Sequence, residues 1–165
     1  MERKHNPNRA KFRTQAAAGR HALLAVAGLT LVNLLLLLFR AEYHLLISAA
    51  VPYYVNWLCV KLGASWFWWV LAVLLAVAMV GFYCGCWYLS HQRRMFLTAA
   101  LGAYAIDTLL LVIFAFTLVE NFASCILEIL THGAVLYLLV TADAAVAALG
   151  RMRRRAERRE REEAL

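Results

Sequence analysis

At 165 residues, with 64% apolar composition and a mean hydropathy of +0.65, the chain is too apolar for an ordinary soluble domain, for which about 45–50% is typical. Its net charge of +7 is carried largely by two basic ends, and of its two prolines only Pro52 falls in the apolar stretch between them. The composition points to a small membrane protein.

The first twenty residues, MERKHNPNRAKFRTQAAAGR, read as a basic cytoplasmic tail, disordered until near Gly19. A membrane domain follows over 21–149. A helix needs about 20 apolar residues to cross the hydrocarbon core, and four segments approach or exceed that length: 22–39, 66–89, 96–119 and 122–149. The stretch 43–61 is apolar too, but Pro52 interrupts it and Asn56 adds a polar group. Residues 150–165, rich in arginine and glutamate, read as a basic cytoplasmic helix that continues the last span. There Arg153 with Glu157, Glu157 with Arg161, and Arg158 with Glu162 are spaced to pair along one helix surface.

Charge separates four spans from five. Basic residues favour the cytoplasmic side of short loops and juxtamembrane tails. With four spans and 43–61 kept outside, 15 of the 17 Lys and Arg residues lie inside, leaving only Arg40 and Lys61 outside. A fifth span moves Arg93, Arg94 and the arginine-rich tail out, giving 10 outside against 7 inside. The expected fold class is therefore an all-α integral membrane protein, a four-transmembrane-helix bundle with both termini cytoplasmic. The segment 43–61 is expected to be re-entrant or interfacial. Its Tyr43, Tyr53, Tyr54 and Trp57 suit the interface, where these residue types concentrate, and Trp66, Trp68 and Trp69 extend the same aromatic belt. No cleavage site of the signal-peptide kind follows the first span, which reads as a permanent anchor in a plasma or bacterial inner membrane.

Cysteines supply no framework. Cys84 and Cys86 are two apart on a helix, about 200° around it, so they do not aim at one metal. A Cys59–Cys125 disulfide has no support in spacing. Gly81 and Gly85 form a GxxxG pattern, which lets helix backbones approach closely, and internal packing is its expected use.

The informative residues are the ionisable ones inside apolar runs: Asp107 in the third span, and Glu128 with His132 in the fourth. Such groups cost roughly 2.5–3.5 kcal/mol or more each at mid-membrane and usually face the bundle interior. Asp107 lies about 18 Å in from one face and His132 about 16 Å in from the other, at 1.5 Å per residue, so the two meet near mid-depth. Asn33 of the first span falls at a similar level. In the last span Asn121, Cys125, Glu128, His132 and Asp143 recur near whole turns; in the third, Ala100, Ala103, Tyr104 and Asp107 share a side; in the first, Ala27, Thr30 and Asn33 do so.

The leading expectation is a protein that binds or transports a cation, a proton or a small solute. Asp107 and His132 form its central pair, Glu128 coordinates, Asn33 orients, and Tyr53, Tyr54 and Trp57 cover the mouth. The alternative is a non-catalytic accessory or assembly subunit of a larger membrane complex, in which the cluster fixes helix register. A third reading is an intramembrane or metal-dependent enzyme, with Glu128, His132 and Asp107 as ligands. The chain has no HExxH, GxSxG or phosphate-binding loop, and no cofactor is expected. The expected partners are the lipid bilayer, with anionic lipids at the basic tails, and a second copy or a larger membrane complex; nucleic acid is not expected.

Overall fold

The computed structural model describes residues 7–39, 49–52, 54–55, 58, 66–117 and 122–163. Four long helices make up most of it: α1 (Pro7–Leu38), α2 (Trp66–Leu89), α3 (Arg94–Thr117) and α4 (Phe122–Glu163). No strand occurs among the described residues. Each helix is long and apolar enough to cross a membrane. At 1.5 Å per residue even the 24-residue α2 and α3 reach about 36 Å, and the 42-residue α4 reaches about 63 Å.

The helices close a ring, α1 packing on α4 and α2, and α3 packing on the same two. The outward faces are apolar, with Leu31, Leu35, Leu74, Ile106, Leu109 and Leu130 all exposed. A core of Leu23, Val26, Tyr83, Leu97, Tyr104 and Leu139 fills the half of the ring nearer the chain termini, here called the tail end.

Two sequence expectations need correction. Helix α1 begins at Pro7, not near Gly19. Proline is favoured at a first helical position, where its fixed φ fits and its missing N–H is no loss. The following AKFRTQAAA is made largely of strong helix formers, so charge alone did not keep the stretch unfolded. The second correction concerns close packing. Gly81 is exposed, and a Cβ placed on either Gly81 or Gly85 would meet nothing within 4 Å, so the GxxxG pattern does not form an internal seam. That role falls to Gly19, where an added Cβ would overlap the Cβ of Ala142 and come within 3.0 Å of the Leu138 carbonyl oxygen. Here α1 and α4 approach so closely that only hydrogen fits.

The tail end is locked by polar contacts. A tight turn after Leu89 joins α2 to α3, with the Ser90 hydroxyl donating to the Trp87 carbonyl at 2.7 Å. Arg20 of α1 donates to the Ser90 carbonyl at 2.9 Å. Asp143 of α4, buried on its helix, accepts from Arg94 Nε at 2.9 Å, from the other arm of the same guanidinium, and from the Thr98 hydroxyl at 2.8 Å. Beyond it the charged end of α4 continues as helix, and Arg153 pairs with Glu157 at 2.8 Å.

Candidate functional site

The site forms where a short stretch between α1 and α2 enters the ring. Residues 51–52 and 54–55 are helical, and Ala49, Ala50 and Tyr54 are buried. A helix start leaves its first N–H groups without intrahelical partners, and in an apolar interior each costs about 1–3 kcal/mol if unmet. Every one described here is answered by another element. The Thr30 hydroxyl of α1 accepts from Ala49 N at 2.9 Å while donating to the Val26 carbonyl at 2.7 Å. Asp107 of α3 takes the next two, Oδ2 from Ala50 N and Oδ1 from Val51 N, each at 3.0 Å. The following residue is Pro52, which has no N–H to satisfy. Asp107 thus acts as an N-cap supplied by a different helix.

Behind the carboxylate stands His132 of α4. Its Nε2 lies 3.6 Å from Asp107 Oδ2, outside hydrogen-bond reach. Its Nδ1 lies 3.0 Å from the Glu128 carbonyl oxygen one turn back. A carbonyl only accepts, so Nδ1 carries a proton and a neutral ring presents a lone pair at Nε2. The Tyr104 ring stacks on the imidazole with centroids 5.3 Å apart and planes 7° apart. Tyr83 of α2 meets Tyr104 edge-on at 6.3 Å. One turn from His132 toward the other end, the buried Glu128 carboxylate accepts from the Tyr54 hydroxyl at 3.2 Å. Cys125 Sγ lies 3.9 Å from the same hydroxyl, and the Tyr54 ring stacks on Phe114 at 5.2 Å.

The expected central pair, Asp107 and His132, is therefore brought together, and both side chains are buried. Glu128 is adjacent but turned toward Tyr54. Asn33 is half-buried on α1, three residues beyond Thr30. Tyr54 packs over the cluster, whereas Tyr53, Trp57 and Cys59 lie outside the described residues. As a metal centre the arrangement fails, because among the described residues no three of His, Cys, Asp and Glu stand close enough to share an ion. The polar faces read from spacing appear on the buried side: Ala100, Tyr104 and Asp107 on α3, Cys125, Glu128, His132 and Asp143 on α4.

No known protein family matches this chain, and neither a curated protein nor a solved structure resembles it.

Sequence reasoning missed two participants. The backbone amides of residues 49–51 have no sequence signature except Pro52, which marks a helix start where its own N–H is not needed. Tyr83 was also missed. Its signal was the buried face of α2, where Ala72, Ala76, Tyr83 and Cys86 recur at helical spacing and three of the four are small.

Proposed function

We propose that the chain is an integral membrane protein, with both termini cytoplasmic, that binds and passes a proton or small cation at Asp107 and His132 beneath a re-entrant lid. The observation that carries this reading is the double use of one carboxylate. Asp107 holds the lid by two backbone amides and faces an imidazole nitrogen 3.6 Å away. A proton arriving at His132 Nε2 converts an acceptor into a cationic donor aimed at Oδ2, in competition with Ala50 N–H. A cation drawn to Asp107 competes for the same oxygens. Site occupancy and lid docking are then linked, and by reciprocity undocking the lid changes affinity for the ion by the same factor. The apolar outward faces of the helices support membrane insertion, and the distribution of Lys and Arg supports the orientation. The basic tails suit anionic lipid surfaces.

The test is lid accessibility. In a cysteine-free background, Val55→Cys is labelled with a membrane-impermeant maleimide in reconstituted vesicles. Slow labelling that, taken relative to an exposed control cysteine at the same pH, accelerates on lowering the pH or on Asp107→Asn is the expected result. Labelling indifferent to both would sink the reading.

One observation favours the accessory-subunit alternative. Both Asp107 oxygens already accept a backbone amide, as a purely structural cap would. Under that reading the chain co-purifies with a stoichiometric partner, and labelling relative to the control cysteine ignores pH.

A further inference from the structure

A ladder of aromatic side chains leads from the tail end to His132, and it is more polar than the core around it. Tyr83 sits six residues before the end of α2 and Tyr104 ten residues into α3, about 9 Å and 15 Å from the tail-end turn at 1.5 Å per residue. Their rings and the imidazole touch in sequence, at 6.3 Å and 5.3 Å. All three side chains are fully buried. Yet among the described residues nothing hydrogen-bonds the Tyr83 hydroxyl, the Tyr104 hydroxyl or His132 Nε2. Buried polar atoms are nearly always partnered by protein or by ordered water, so three on one contiguous ladder mark a ligand site.

The atoms define the ligand. Each phenol both donates and accepts, and Nε2 of the neutral ring accepts. Asp107 Oδ2 lies 3.6 Å from the Nε2 end of the ladder. An apolar guest satisfies none of these groups. An anion is repelled by the carboxylate, and a metal cation finds only neutral ligands on the ladder itself. Water, a donor and acceptor at once, fits all three.

We infer that water bridges the Tyr83 and Tyr104 hydroxyls to His132 Nε2, forming a seam that carries protons between the tail end of the bundle and the imidazole. Each transfer balances: a bridging water gives a proton to Nε2 and takes one from the neighbouring phenol. The phenol in turn takes one from the next water, so the ring ends as imidazolium and one proton is taken up from the water at the tail end. The titratable groups facing His132 are Asp107 and Tyr104 on α3, Glu128 on its own helix, Tyr83 on α2 and, through Glu128, Tyr54 of the inserted segment. α1 carries no ionisable side chain from Ala22 to Leu38. This rests on the proposed function and gives the site its substrate, a proton, and its second route, on the side away from the docked segment.

The experiment is nitrogen NMR of His132 in lipid nanodiscs, its signal assigned by loss in His132→Gln. Exchange of the imidazole with water is followed in wild type, Tyr83→Phe and Tyr104→Phe. Fast exchange in wild type that slows about tenfold in each Phe variant, the rate equivalent of one lost hydrogen bond, is expected. Melting temperatures should stay level or fall, because the Phe side chain strands the bridging water. The inference is overturned by slow exchange in wild type, or by Phe variants that exchange at the wild-type rate and melt higher, as removing a truly orphaned hydroxyl would cause. Maleimide labelling at Val55→Cys in the same preparation reports the lid separately, so a dry seam and an immobile lid give different results.

Discussion

Asp143 and Asp107 are both buried carboxylates on neighbouring helices of one bundle, yet their surroundings differ in kind. Asp143 meets a guanidinium and a hydroxyl, and Arg94 remains 49% exposed, so water still reaches the pair. Among the described residues Asp107 meets no cation within hydrogen-bond reach; it is held by two backbone amides and faces His132, both of these side chains being at most 1% exposed. The tail-end site behaves as a clasp, with mutually satisfied side chains whose breakage water can soften. The deeper site is a balance, in which a carboxylate is held by main-chain amides and three nearby polar atoms lack hydrogen-bond partners among the described residues. The proposed function is assigned to the second arrangement because an imidazole nitrogen stands beside a carboxylate whose two oxygens hold main-chain amides.

The comparison can be broken most strongly at Asp107. Replacing it by Ala strands two buried amides and should destabilise the bundle by about 4 kcal/mol, measured by denaturant titration in detergent. Asp107→Asn keeps one acceptor and should cost about half as much. If Asp143→Asn proves as costly as Asp107→Asn, the distinction between clasp and balance fails, since the partly exposed tail-end pair should lose only about 1 kcal/mol. Gly19→Ala should cost about 1–3 kcal/mol through overpacking against Ala142, and Ala142→Gly should recover part of it. Thr30→Val, which keeps shape but removes the acceptor for Ala49 N–H, should cost about 1–2 kcal/mol. At the small end, Arg153→Ala breaks an exposed pair and should leave the unfolding midpoint unchanged.

The spans were legible because hydrophobic length is a one-dimensional signal, and Asp107, Glu128 and His132 stood out because charge inside such a run is rare. Helical spacing then placed Asp107 and His132 at one depth, and the fold brings them together. What could not be read was what Asp107 holds. Its ligands are main-chain amides, and a backbone N–H at residue 50 looks like one anywhere else. Packing was similarly hidden. GxxxG at Gly81 reads identically on an inward or an outward face, while Gly19, among alanines in a charged stretch, carries no such pattern although it makes the closest approach. The start of α1 is masked by clustered positive charge, which suggests an unfolded tail where helix propensity decides otherwise.

The cap supplied to residues 50 and 51 has a consequence for how the protein is made. Its carboxylate lies 57 positions downstream of the amide it holds at residue 50, whereas Thr30 lies 19 positions upstream of residue 49. At synthesis rates of about 5–20 residues per second, residue 50 leaves the ribosome roughly 3–11 s before Asp107 does. For that interval its amide lacks its eventual acceptor, and burial in an apolar setting is unfavourable. The loop must therefore wait, half-anchored by α1, and enter the ring only after the third span has arrived.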